Sequence, residues 1–225
     1  LYFVDGKIVS VGESPKELTS DTRIIDAQGS WVTPGIIDVH SHLGVYPSPG
    51  VDAHSDGNEA TAPVTAEVWA EHSVWPQDPG FGRALAGGIT AMQILPGSAN
   101  LFGGRGVTLK NVASVTYQGM KFPDAPYGLK MACGENPKRV YGRKGSGPST
   151  RMGNIAGYRA AWIKATDYRD EHAKYMALSD EEKKEAQKPK RDLELETLAG
   201  VLDGDIIIHM HCYRADEMMT ILDLA

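Results

Sequence analysis

Val32-Thr33-Pro34-Gly35-Ile36-Ile37-Asp38-Val39-His40-Ser41-His42-Leu43-Gly44 is the stretch on which the reading of this chain turns. Pro34-Gly35 punctuates the sequence, an apolar run follows, and the run ends on two histidines one residue apart. Side chains two apart in a strand share a face, so both imidazoles can aim at one point. Asp38 shares that face, where a carboxylate could orient a ligand histidine from below. Imidazole suits zinc and similar divalent cations. A His-x-His pair alone is a weak metal signal, and its weight comes from what surrounds it.

Upstream, the residues read as short strands. Leu1–Val4 runs into Asp5-Gly6, a hairpin turn signal, and Lys7–Val11 follows. Thr22–Asp26 reads as a third short strand. Downstream, a long glycine- and proline-rich stretch spans Gly44 to Pro79, and a loop of that length inside a domain is usually functional or mobile. Phe81–Gly87 then reads as a helix, and Ile89–Leu95, Gly106–Lys110, Val112–Tyr117 and Tyr127–Cys133 as strands. Met152–Tyr175 and Leu193–Leu202 read as helices, Asp205–His211 as a strand, and Ala215–Ala225 as an amphipathic helix. Strands and helices alternate from Ile36 onward, and the strands are nearly all apolar, as in parallel sheets covered on both faces. The pattern predicts an α/β fold with a parallel sheet. A parallel barrel gathers its active site at the C-terminal strand ends, where the polar residues here cluster.

Two of those strands carry further chemistry. Lys130 sits in the middle of the apolar run Gly128–Cys133, and a buried ammonium is costly unless it is paired or chemically changed. Glu135 lies just beyond, in the loop Gly134-Glu135-Asn136-Pro137. Ile206–His211 repeats the logic of the first pair. His209 and His211 share a face, with His211 nearer the C-terminal end as the better ligand and His209 a supporting residue. Arg214 could hold a substrate carboxylate bidentately, while a salt-bridged surface pair with Asp216 is the competing reading. His54, His72 and His172 read as solvated side chains, with His54 of interest because Asp52 and Asp56 flank it. Gly97, Asn100, Gly103 and Gly104 read as a loop whose backbone could approach a substrate. No phosphate-binding lysine pattern follows it.

Bulk properties bound the options. The 225 residues carry a formal net charge of -6, with 41% hydrophobic and 23% charged residues. That is ordinary for a globular protein, and the acidic balance without a basic stripe argues against a nucleic-acid partner. The run Asp180–Arg191 mixes both signs and reads as a solvated helix or exposed loop. No apolar run approaches a membrane span. Cys133 and Cys212 sit in apolar segments and read as two buried free thiols. No signal segment is visible, which leans toward the cytoplasm and leaves secretion or the periplasm open if a leader was removed. No Gly-x-Ser-x-Gly elbow points to a serine nucleophile.

The run around His40 and His42 resembles the entry motif of the amidohydrolase superfamily. Asp5-Gly6-Lys7-Ile8-Val9-Ser10-Val11-Gly12 and Ile24-Ile25-Asp26-Ala27-Gln28-Gly29 are similar to that family's N-terminal segment. The resemblance extends from Asp5 to Ala225 and is closest to the imidazolonepropionase-like branch. It implies residues 1–33 as part of a small β-sandwich domain and residues 34–225 as a TIM-type (β/α) barrel, incomplete after strand five. It implies a metal-dependent hydrolase in which a metal-activated hydroxide attacks amide, cyclic amide or peptide carbonyls. His40, His42, Lys130 and His211 would hold one or two divalent ions of zinc type, with Lys130 carboxylated. Glu135 is the alternative to Lys130. The two are five apart and would not share a face of a regular strand, so one main bridging ligand is expected, and Lys130 is preferred.

The same resemblance marks a departure. The family also uses a histidine on strand six and a catalytic aspartate on strand eight, and neither lies within this sequence. The sequence therefore reads as a fragment, expected to be inactive or poorly soluble when made alone. The partner expected is a small amide or peptide, and homo-oligomerisation is left open. Two other readings stand beside the hydrolase: a metal-free barrel used for binding or scaffolding, and a mononuclear deaminase of the same superfamily.

Overall fold

A computed structural model describes residues 1–13 and 18–224. The chain divides into two compact units, Leu1–Pro34 and Gly35–Ala225. In the first, strands β1 (Tyr2–Val4) and β2 (Lys7–Ser10) pair antiparallel. The turn between them has Asp5 at φ 49° and Gly6 at φ 74°. Positive φ at both central positions matches the right-handed twist of the flanking strands, and Asp-Gly tolerates it. Thr22–Asp26, expected as a strand, is irregular. No strand pairs with it among the described residues, and Ile24 and Ile25 stay exposed. The described residues of this unit show a hairpin, not a sandwich.

The second unit is built on strands β3 (Ile36–Ser41), β4 (Ile89–Ile94), β5 (Phe102–Lys110), β6 (Tyr127–Ala132) and β7 (Ile206–His211). They form one curled sheet in chain order. The mixed α/β class agrees with expectation, but the all-parallel sheet does not. β3/β4 and β6/β7 are parallel, whereas β5 runs antiparallel to both of its neighbours. The cause is the connection. Residues 95–101 are too few to form a crossover helix, so the chain turns back at the same end of the sheet. The expected strands Gly106–Lys110 and Val112–Tyr117 also resolve differently. The first is the end of the longer β5, which takes Gly103 and Gly104 out of the expected loop. The second is irregular and leads into the 3-10 turn Tyr117–Gly119.

Helices follow from capping as much as from apolar periodicity. Helix α1 (Pro79–Ala86) starts with Asp78 accepting from Gly80 N and a proline in the first turn. Helix α2 (Glu135–Gly142) replaces the loop expected at Gly134–Pro137, because Gly134, at φ 67°, turns the chain out of β6 and directly into a helix. Thr150 caps α3 (Arg151–Met176), and Ser179 and Glu182 form a capping box on α4 (Asp180–Glu185). Asp192 caps α5 (Leu193–Leu202), and α6 (Ala215–Leu222) closes the described chain, with Ala225 outside it. No helix of the described residues is long and apolar enough to cross a membrane.

Alternation along β6 sorts its side chains. Leu129 and Met131 join Phe102, Tyr158, Ala161, Ala165 and Leu198 in a core under α3 and α5. Lys130, between them, therefore points to the opposite face of the sheet. The outer strands are less covered than expected: Ile36, Ile37 and Val39 on β3 and Ile207 and Ile208 on β7 are exposed. β6 and β7 pair in register from Tyr127↔Ile206 to Ala132↔His211. The next residues in that register are Cys133 and Cys212. They form a disulfide with Cα atoms 5.2 Å apart, which corrects the expectation of free thiols. The 79-residue separation conceals a pairing that only the strand register brings about.

Leu129 is fully buried at the centre of this packing. Leu129→Ala is expected to lower unfolding stability by about 2–5 kcal/mol. Denaturant unfolding measures this, and a loss under about 1 kcal/mol would show that the β6–α3–α5 contact is not the core of the unit.

Candidate metal centre

The face of the sheet opposite α3 and α5 collects the histidines. His40 and His42 sit at the end of β3 with ring centroids 5.1 Å apart and planes nearly perpendicular. The His42 ring places Nδ1 2.7 Å from the Leu95 carbonyl oxygen. A carbonyl only accepts, so Nδ1 carries the proton and the Nε2 lone pair is left outward. That is the tautomer a metal-ligating histidine needs, fixed here by a backbone atom. His40 turns its Nε2 toward Lys130 Nζ, 3.4 Å away. Asp38 accepts from the His40 backbone N–H at 3.1 Å, so it braces the strand rather than the imidazole.

Lys130 is fully buried. Its hydrogen-bonding neighbours among the described residues are His40 Nε2 and the Pro96 carbonyl at 3.2 Å, and neither is an anion. Burial pushes the amine down to about 8 from its ordinary 10.5. The same charge acts back on its surroundings. His40, His42, His209 and His211 are all held below the usual histidine value, first by burial and also by the Lys130 charge. His209 is the register partner of Lys130 across β6/β7. His211 is half-buried at the end of β7, and its Nε2 lies 3.3 Å from Asn136 Nδ2.

The structure thus brings His40, His42, His209 and His211 around one lysine. No three His, Cys, Asp or Glu side chains among the described residues stand as close as a metal-binding group requires. The donor chemistry nevertheless fits a zinc-type cation: neutral imidazoles whose Nε2 lone pairs face hydrogen-bond donors, and an amine with no counter-ion. Lys130 Nζ and Asn136 Nδ2 occupy the positions facing those lone pairs.

The other expected site residues lie further out. Glu135 is the exposed first residue of α2, and the face-sharing argument stops applying once the strand ends at Ala132. Arg214 is exposed and engages Asp216 at 2.8 and 2.6 Å through two nitrogens. His54 and His172 are half-buried rather than solvated: His54 packs on Trp75 with centroids 5.0 Å apart, and His172 packs on Tyr168 at 4.1 Å. His72 is exposed and stacks on Trp69. None of the three reaches the histidine cluster.

Four contributors were not anticipated from sequence. The carbonyls of Leu95 and Pro96 are backbone atoms and leave no sequence signal. Asn136 follows the glutamate that drew attention and touches His211 in its place. Glu217, in the first turn of α6, is buried and pairs with Arg151 at the start of α3. It also accepts from Arg214 N at 3.4 Å and lies 3.6 Å from Cys133 Sγ. Its carboxylate fills the space where Gly134 has no side chain. One carboxylate thereby ties together the ends of β6 and β7 and the starts of α3 and α6.

No family model matches the chain. An amidohydrolase from Thermotoga maritima, known from its crystal structure, is 40% identical with a TM-score of 0.88, over all of this chain and 56% of that one. The amidohydrolase tasK of Hapsidospora irregularis is 34% identical over 224 residues, 92% of this chain and 22% of the relative. The imidazolonepropionase of Symbiobacterium thermophilum is 48% identical over 44 residues, 17% of this chain and 10% of the relative. The chain therefore spans about half of the solved relative and about a fifth of tasK.

Glu217→Gln keeps the shape but removes the charge that Arg151 faces. It is expected to lower unfolding stability by about 1–3 kcal/mol. Thermal or denaturant unfolding reads this directly, and an unchanged midpoint would mean the carboxylate is not the tie that its contacts indicate.

Proposed function

Because the chain belongs to the amidohydrolase superfamily, we propose that it supplies part of a metal-dependent hydrolase of carbon–nitrogen bonds in amides, cyclic amides or peptides. The observation that carries this reading is the His42 tautomer, locked by the Leu95 carbonyl with Nε2 left to bind, beside a buried lysine without a counter-ion. The curled sheet is read as part of a TIM-type barrel, and the N-terminal hairpin as part of a small β-sandwich domain.

His40, His42 and His211 would hold one or two zinc-type ions through Nε2. Bound there, the ions would acidify water and polarise the substrate carbonyl. Lys130 can join them in a changed form. Its depressed basicity makes the neutral amine accessible. Nζ then forms a bond to the carbon of carbon dioxide, one C=O pair moves onto oxygen, and a proton leaves to water. The product is an anion with two oxygens that would also remove the cost of a buried ammonium. Glu135 is the alternative to this bridging role. Asn136 would yield His211 Nε2 to the metal and keep the ring in place from the side. Arg214 would meet a substrate carboxylate by exchanging it for Asp216, which already presents the same bidentate geometry.

The full-length protein, purified without chelators, is expected to contain about one or two zinc-type ions per chain by elemental analysis. His40→Ala, His42→Ala, His211→Ala and Lys130→Ala are each expected to cut metal content and amide hydrolysis, the latter on the order of 100-fold or more. Native mass spectrometry should show one carbon dioxide increment in the wild type and none in Lys130→Ala. A metal-free, inactive wild type, or variants that keep their full metal content, would refute the reading.

A further inference from the structure

The long stretch after β3 returns to the histidines through Tyr46. Its backbone N–H donates to the His42 carbonyl at 3.0 Å, which folds the residue back over the end of the strand. The Tyr46 ring stands edge-on to the His42 ring with centroids 5.9 Å apart. The residue is 39% exposed, so a substantial part of it remains open to solvent beside the histidine.

Hydrogen-bond polarity at Tyr46 is fixed from outside. Asn58 Oδ1 accepts from the Ala99 backbone N–H at 3.1 Å. A backbone N–H only donates, so this contact sets which way the Asn58 amide faces. Asn58 Nδ2 is then turned to the phenol oxygen and donates to it. Tyr46 Oη is held as an acceptor, and its own proton has no acceptor among the described residues. The chain of donation runs one way, from Ala99 through Asn58 to Tyr46, and each bond polarises the next. Two glycines make it possible. A Cβ at Gly57 would fall within the Tyr46 ring, and one at Gly97 would lie 2.7 Å from the phenol oxygen. Gly57 and Gly97 are tied in turn, with Gly97 N–H donating to the Gly57 carbonyl at 2.6 Å. Gly57, Asn58 and Pro96 also line a cavity of about 420 Å³, and Tyr46 takes no part in that lining.

We infer that Tyr46 is a substrate-contacting residue whose phenol O–H donates a hydrogen bond to the carbonyl oxygen of the amide at the His40–His42 mouth. The inference rests on the hydrolase reading above and adds to it the donor for the oxygen on which charge builds during attack. A donor that is oriented before substrate arrives needs no reorganisation as the reaction proceeds.

Two substitutions separate this role from a structural one. Tyr46→Phe removes only the hydroxyl. Asn58→Asp keeps the acceptor for Ala99 N–H but turns the Tyr46 partner from donor to acceptor, so the phenol proton is drawn inward while the phenol stays. The metal-loaded full-length enzyme is assayed against N-acetyl amino acids, cyclic amides and dipeptides. On any of these that the wild type hydrolyses, both variants are expected to lower kcat by about 10- to 1,000-fold with KM little changed. Metal content and melting midpoint should match the wild type. Wild-type kcat in either variant overturns the inference and leaves the hydrolase reading intact. Loss of metal or of folding in Tyr46→Phe overturns it in favour of a structural role. No turnover of any of these compounds by metal-loaded wild type sinks the hydrolase reading, and the inference with it.

Discussion

A lysine ammonium that is fully buried with imidazoles and a carbonyl around it, and no carboxylate among its hydrogen-bonding neighbours, is the constraint on which this site depends. Such a charge is among the most costly groups a fold can enclose, and surrounding it with further basic nitrogens raises the cost. The arrangement is reasonable when the site is completed by something that reverses the local charge balance. A cation shared among the imidazoles, together with a lysine converted to an anion, would do so. Burial depresses the basicity of Lys130, and burial together with the Lys130 charge depresses that of the four histidines.

The scaffold serves this pocket by dividing labour between the two faces of the sheet. Leu129 and Met131 fasten β6 to α3 and α5, and that packing sets where Lys130 stands on the other face. The histidine at the end of β3 is oriented by the exit of β4, and the one at the end of β7 by the start of α2. Glu217 and the Cys133–Cys212 bridge hold the ends of β6 and β7 together. His42, Lys130 and His211 are thus each braced by an element other than their own. Preorganisation of that kind is what a metal site demands.

Much of this was legible in the residues, for identifiable reasons. His40/His42 and His209/His211 announce shared faces because strand periodicity is two, and Lys130 stands out because a charge interrupts an apolar run. Helices α3 and α5 follow from apolar spacing. What was hidden depends on the third dimension. The reversal of β5 turns on how a short connection folds. The disulfide turns on register between strands far apart in sequence. Asn136, Glu217 and Tyr46 look like ordinary polar residues until α2, α6 and the stretch after β3 are placed. The strand expected at Thr22–Asp26 fails because alternation states a preference, whereas a ladder needs a partner.

The reversal of β5 has a consequence for how such a site can vary. Residues 95–101 leave β4 and re-enter the sheet at the same end, so Leu95, Pro96, Gly97 and Ala99 act from one tight bend. Through that bend the chain touches His42, Lys130, Tyr46 and Asn58 at once. Gaining or losing a single residue there would reset the imidazole tautomer, the lysine's resting place and the phenol's clamp in one step. Diversification of this protein's chemistry is therefore more readily accommodated in the part of the long excursion between Asn58 and Pro79, where length can change without resetting the tautomer, the lysine and the phenol together.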